Sequence, residues 1–228
     1  RCTGYKQIYD AALSLDHEKL PKVSERYRNR EMEKELEEIL LSPAFVQTTT
    51  LMAPSEEKSV FLPATFSDAA FYLAENSELQ IVCGGTDVSV QVNKGKTELK
   101  KVLCLSQLRE LRCLEINDQK LMVGAGLCWS ELERFFESKV PEFHKILKVF
   151  GSPQIRNAGT MGGNIANASP IADSLPFLLI TDAELELTSS KGVRHVELQH
   201  FYKGYKQMDL MPDELISRIC IRLPRKTD

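Results

Sequence analysis

The chain has 228 residues, 43% hydrophobic and 27% charged, which is enough apolar material for one domain plus a smaller one and too ordinary a mix for a disordered chain. A net charge of −3, with Lys and Arg interspersed among acids, argues against a nucleic-acid surface, which needs clustered basic residues. No apolar run approaches the roughly 20 residues of a membrane-spanning helix, and the six scattered cysteines contain no Cys-x-x-Cys pair, so they read as reduced thiols of a cytoplasmic protein.

In chain order, Glu25 to Leu41 is highly charged, with Leu36, Ile39 and Leu40 as its main apolar residues, and reads as one exposed linker helix ending near Ser42-Pro43. Gln47 to Lys58, with Thr48-Thr49-Thr50 and Pro54-Ser55, reads as a loop, and Val60 to Leu62 then opens the main domain. Ser67 starts a helix to about Asn76, Ile81 to Cys83 is a strand, Val88 to Asn93 a helix and Lys101 to Leu105 a strand. Two short strands, Leu114 to Ile116 and Lys120 to Gly124, meet at Asn117-Asp118. Ser130 with Glu133 three residues on reads as the capping box of a helix through Phe135 and Phe136. Pro141 begins another helix toward Phe150, Ala172 to Ile180 is a helix, and Glu184 to Thr188 with Val193 to Leu198 alternate as a hairpin. The fold class is α+β.

Two glycine segments stand out. Gly84-Gly85-Thr86-Asp87 lies between a strand and a helix start, an order that suits a phosphate. Residues 154–173 gather Gly159, Gly162 and Gly163, with Asn157, Asn164 and Asn167, in a stretch that has almost no charge. It reads as a loop whose glycines allow positive φ and close backbone approach and whose exposed N–H groups form an anion nest. Residues 84–88 and 159–169 hold no Lys or Arg, so backbone N–H groups and hydroxyls would neutralise a diphosphate. Arg156 either reaches a phosphate or braces its loop by an ion pair. Ser169-Pro170 either presents a hydroxyl or shapes the turn. The Gly-x-Gly-x-x-Gly spacing of a Rossmann loop is absent.

Ile81-Val82-Cys83-Gly84-Gly85-Thr86-Asp87-Val88 followed by Gln154 to Asp173 resembles the FAD-binding domain of the molybdenum hydroxylases, the xanthine dehydrogenase and aldehyde oxidase group. The opening Arg1-Cys2-Thr3-Gly4-Tyr5, with Ile8 and Ala11-Ala12, looks like the tail of the helical iron-sulfur domain that precedes the flavin domain in xanthine dehydrogenase small subunits. In that family the cysteine at the position of Cys2 is a [2Fe-2S] ligand. Here it lacks the other three of the four that a cluster needs, so no iron is expected on this chain. The family also continues past the position of Asp228, so the chain looks like a piece of a larger subunit.

The resemblance implies a two-lobed FAD-binding domain of the vanillyl-alcohol-oxidase/molybdopterin dehydrogenase type, preceded by a helical remnant. Residues 1–16 would be the iron-sulfur remnant, 17–57 a helical linker, 58–224 the FAD-binding domain with lobes of about 58–112 and 113–224, and 225–228 a tail. Flavin contacts carry over onto Ile81, Val82, Cys83, Gly84, Gly85, Thr86, Asp87 and Val88, onto Thr160, Met161, Gly162, Gly163 and Asn164, and onto Ser169, Asp173, Phe150 and Ile216. The two glycine loops would face across a cleft, the first giving N–H groups to the pyrophosphate, while Asp173 accepts from hydroxyls and Phe150 and Ile216 offer apolar surface.

No Ser-His-Asp or Cys-His arrangement is visible, and His17, His144, His195 and His200 lie outside both loops, so no catalytic residue is expected and the chemistry would be the cofactor's. The resemblance implies electrons passing from a molybdopterin centre through [2Fe-2S] clusters to FAD and on to NAD or oxygen. The implied partners are a molybdenum-binding subunit or domain and the iron-sulfur domain, with no nucleic acid and no membrane. The alternative is a non-catalytic assembly module that keeps the fold without holding FAD on its own.

Overall fold

The computed structural model describes residues 6–50, 53–76 and 78–223, and Cys2 lies outside them. The chain divides into two compact units, residues 1–39 and 40–228. The first holds α1 (Lys6–Leu13), a 3-10 turn at His17–Lys19, α2 (Val23–Arg26) and nearly all of α3 (Arg30–Leu40). The single helix expected from Glu25 to Leu41 is therefore two. Asn29 breaks it: its side-chain oxygen accepts the N–H groups of Glu31 and Met32, both at 3.1 Å, which favours a fresh helix start over continuation. No residue of these helices is buried.

The larger unit begins with an antiparallel hairpin of β1 (Ala44–Thr50) and β2 (Ala53–Leu62), where Gln47 to Lys58 had read as a loop. Strand pairing overrides the polar composition, and the β-branched threonines suit a pleated ribbon. Thr65, two residues before Ser67, makes the capping box of α4 (Phe66–Glu75) with Asp68. There follow β3 (Gln80–Val82), α5 (Thr86–Asn93) and β4 (Lys101–Cys104). The sheet order is β1-β2-β4-β3, with β2 and β3 both parallel to β4. The glycine pair thus sits at the carboxyl end of a parallel strand, where open α/β sheets bind ligands.

A second, wholly antiparallel sheet takes its strands from residues 114–222. Its hairpin β5 (Leu114–Asn117) and β6 (Lys120–Gly124) leads into α6 (Trp129–Phe136), α7 (Pro141–Val149), α8 (Pro153–Ala158), α9 (Met161–Ala166) and α10 (Leu175–Ile180). Then come β7 (Glu184–Ser189), β8 (Gly192–Glu197), α11 (Leu198–Phe201), the small pair β9 (Tyr202–Gly204) and β10 (Gln207–Met208), and β11 (Leu215–Arg222). The order is β5-β6-β11-β7-β8. Alternate residues of the three central strands, Leu121, Val123, Leu185, Leu187, Ile219 and Ile221, are fully buried, the period-2 signature of a one-sided sheet. Phe136, Phe143 and Phe177 from the helices complete this core, the last two stacked at 3.8 Å. Helices, two large sheets and the small β9–β10 pair in one unit make the expected α+β class.

Candidate functional site

A cavity of about 540 Å3 lies within the larger unit, in the usual range for small-molecule sites. Its first wall is the β3–α5 junction. Gly85 adopts left-handed φ of 69° as the N-cap of α5, a conformation that glycine takes without strain, and no side chain caps the helix. The N–H groups of Thr86, Asp87 and Val88 therefore open the helix without intrahelical partners. Gly84 serves a different need: a Cβ there would meet the Ala158 carbonyl oxygen at 2.1 Å. The two glycine segments touch at this point, where the sequence had them facing across a gap.

The second segment corrects two expectations. It is not a loop but α8, a Gly159-Thr160 link and α9, and its three glycines have no positive φ. Nor does the start of α9 offer free N–H groups. Met161 donates to Leu127 O at 3.1 Å, Gly162 to Ala125 O at 2.9 Å, Gly163 to Thr160 Oγ1 at 3.1 Å and Asn164 to Thr160 O at 3.0 Å. The start of α9 is thus laced antiparallel to residues 125–129, a pairing that includes the Cys128–Thr160 bridge. The glycines are there for close approach: a Cβ on Gly162 would meet Ala125 Cβ at 2.6 Å. Of the two helix starts on the wall, α5 and α9, α5 is the one that keeps N–H groups for an anion.

The cavity wall includes Ile81, Val82, Cys83, Gly84, Gly85, Thr86, Asp87, Val88, Phe150, Thr160, Gly162, Gly163, Asn164 and Ile216. Met161 is fully buried in the core instead. Ser169 and Asp173 do not line the wall; Asp173 is exposed in the turn before α10, which starts at Leu175 and not at Ala172. Arg156 braces its loop: it pairs with Glu133 at 3.1 Å and donates to Gly151 O at 2.9 Å. That pairing also dissolves the Ser130–Glu133 capping box. Cys128 and Glu131 cap α6, and Ser130 donates to Asn157 at 2.5 Å. Asn164 spends its oxygen on the buried Ser174 hydroxyl at 2.6 Å and keeps its amide N–H groups.

Sequence reasoning missed several wall residues. Trp129, the sole tryptophan, packs on Phe150 with ring centroids 4.5 Å apart and donates its backbone N–H to Gly159. Gly159 and Asn167 lie in the motif itself. Lys206, Met208, Leu210, Glu214 and Leu215 arrive from the segment after β9, and nothing local in the sequence marks them. Lys206 supplies the basic side chain that the glycine segments lack. Burial pushes the Cys83 thiol up, partly opposed by a hydrogen bond with Thr160. The arrangement is a cradle of open N–H groups beside aromatic and aliphatic surface, which suits a ligand that is anionic in one part and flat and apolar in another. Among the described residues no group of three or more His, Cys, Asp or Glu is placed to hold a metal, and no helix is long and apolar enough to cross a membrane.

Comparison with known proteins gives the family. Residues 55–226 match the family described as FAD binding domain in molybdopterin dehydrogenase. The chain is 33% identical over 156 residues to a xanthine dehydrogenase FAD-binding subunit of Escherichia coli O157:H7, covering 67% of this chain and 53% of that protein. It is 30% identical over 171 residues to the nicotinate dehydrogenase FAD-subunit of Eubacterium barkeri, covering 72% and 58%. The chain thus spans about half the length of the curated relatives it matches. Among solved structures, quinoline 2-oxidoreductase from Pseudomonas putida 86 matches with a TM-score of 0.68 at 26% identity, covering 72% of this chain and 58% of that one. A carbon monoxide dehydrogenase of Hydrogenophaga pseudoflava shares the fold, with a TM-score of 0.70 at 21% identity over 73% of this chain and 59% of that one. The glycine cradle, the two-sheet fold and the match over residues 55–226 lead to one assignment: the chain belongs to the family of FAD-binding domains of molybdopterin dehydrogenases.

Proposed function

We propose that the chain binds FAD in this cavity and is the flavin-bearing, electron-transferring part of a xanthine dehydrogenase-like molybdenum hydroxylase. The observation that carries the reading is the uncapped start of α5 on the wall of a cavity whose other surfaces are largely apolar. The N–H groups of Thr86, Asp87 and Val88 donate to the diphosphate, and the helix dipole adds to their pull. Gly84 keeps that turn against Ala158, whose carbonyl oxygen a Cβ would meet at 2.1 Å. Phe150, Trp129, Leu215 and Ile216 exclude water from the apolar part of the ligand, and the Asn164 amide and Lys206 ammonium donate to its polar atoms.

Bound FAD supplies two-electron and one-electron redox chemistry that no side chain here can perform. The residues of this chain would hold and orient it, and the chemistry it would supply there is the acceptance of electrons from a molybdopterin centre by way of the [2Fe-2S] clusters of a partner domain and their passage to NAD or oxygen. The similarity to a xanthine dehydrogenase FAD-binding subunit and a nicotinate dehydrogenase FAD-subunit supports this reading. The test is the visible absorbance of the purified chain and the identity of any flavin released by heat. About one FAD per chain is expected, and a colourless protein that takes up no added FAD overturns the reading in favour of an assembly module.

A further inference from the structure

Beyond the residues that line the cavity, we propose that Arg194 is a positioning residue for the flavin, acting through the segment from Met208 to Ile216; the proposal rests on the FAD site above. Arg194 lies on the edge strand β8, paired in register with Leu187 of β7. Its Nε donates to Glu214 Oε1 at 2.6 Å and its Nη2 to Glu214 Oε2 at 2.8 Å, a two-pronged fork on one carboxylate. The same Nη2 donates to the Asp209 carbonyl at 2.9 Å and to its carboxylate at 3.1 Å. One guanidinium thus grips both ends of the irregular stretch 209–214 that joins β10 to β11.

That stretch matters because Met208, Leu210, Glu214, Leu215 and Ile216 form one side of the cavity. Its own backbone bonds are few: Asp209 N–H to Phe201 O at 2.7 Å and Glu214 N–H to Met211 O at 3.0 Å. Glu214 is only 8% exposed and also accepts the Met211 N–H at 2.8 Å, so without Arg194 a nearly buried carboxylate loses its counter-charge beside the ligand. The freed segment would regain conformational entropy, and the wall would no longer be preformed. Lysine cannot substitute, because a single ammonium does not present the planar fork that reaches Glu214 and Asp209 together.

The test compares the full chain with Arg194→Lys, Arg194→Gln and, as a charge-loss control on the same sheet, Arg222→Gln, whose pair with Asp182 is exposed at 3.5 Å. FAD affinity, the visible circular dichroism of bound flavin and amide hydrogen exchange are read together. Both Arg194 variants are expected to weaken FAD at least about tenfold and to alter the flavin dichroism, with Arg222→Gln within about twofold. Exchange across residues 207–214 should quicken in Arg194→Lys and slow in the wild type when FAD binds. Should Arg194→Gln fail to fold, the charge-conserving Lys variant carries the test. A folded Arg194→Lys chain with wild-type affinity, dichroism and exchange overturns the proposal and leaves the FAD reading standing; a wild type that binds no FAD overturns both.

Discussion

Gly84→Ala tests the contact on which the cradle depends. The added Cβ would lie 2.1 Å from Ala158 O, 2.9 Å from Ala158 C and 3.0 Å from Gly159 Cα, all backbone atoms that no rotamer change can move. Reaching a 3.0 Å separation from that oxygen requires the α8–Gly159 junction to retreat by about 0.9 Å. The junction is tied on both sides, by Gly159 N–H to Ile155 O at 2.7 Å and Trp129 N–H to Gly159 O at 3.1 Å. Overpacking of this kind costs about 1–3 kcal/mol, and the displaced α5 start is expected to lose FAD affinity by tenfold or more. Trp129 is the natural reporter, because it is the sole tryptophan, 1% exposed, and hydrogen-bonded to the strained junction. Urea titrations followed by its fluorescence, with FAD titrations alongside, read both effects. Gly95→Ala is the control: φ is +64° with nothing within 4 Å, so it meets only the left-handed backbone penalty, about 1–2 kcal/mol. An unchanged midpoint, Trp129 emission and FAD affinity in Gly84→Ala would refute the packing argument.

Gly163→Val should leave the fold mostly intact, since its Cβ meets only Thr160 Oγ1 at 2.8 Å, yet abolish FAD binding by filling the wall and disturbing a helix cap that is itself worth about 1 kcal/mol; calorimetry with FAD decides, and full affinity removes this segment from the site. The Arg194 guanidinium holds the Glu214 carboxyl below its usual range. Its contribution to stability is therefore present above the unfolded carboxylate value of about 4.3 and lost as pH falls through the lower folded value. Glu214→Gln should flatten the acid side of the stability profile between about pH 5 and pH 3, and a parallel profile would show the pair to be silent. Burial raises the Cys83 thiol, so alkylation near pH 8 should run slower than for a free thiol and slower still with FAD bound; a rate indifferent to FAD would take Cys83 off the wall.

Much of the fold was legible because periodicity and turn chemistry are local. The β5–β6 and β7–β8 hairpins, α7 from Pro141 and the strand–glycine–helix order around Gly84 all follow from neighbouring residues. What the sequence obscured depends on partners far along the chain. The β1–β2 hairpin has a loop-like composition and owes its form to pairing, and α6 starts at Trp129 because Glu131 reaches the Cys128 N–H at 2.9 Å while Glu133 is drawn to Arg156. The glycine-rich motif was found, but its use was misread: whether a glycine supplies a free N–H or a close contact depends on which carbonyls lie opposite, here those of Ala125 and Leu127. Lys206 reaches the wall from the turn between β9 and β10 and Glu214 from the residue before β11, placements that no single-residue signal encodes.

The lacing of α9 to residues 125–129 also bears on how the protein gains its stability. The cavity wall is drawn from residues 79–91, 105–129, 150–168 and 206–216, so it cannot exist until β11 has inserted between β6 and β7. Closing such distant segments carries a loop-closure cost that must be met before the wall's contacts repay it, so the site is expected to form late in folding. A ligand held there can select only the completed unit. At a concentration one hundred times its dissociation constant it would add about 2.7 kcal/mol to the whole unit's unfolding free energy, so cofactor supply becomes a determinant of how long the chain survives proteolysis.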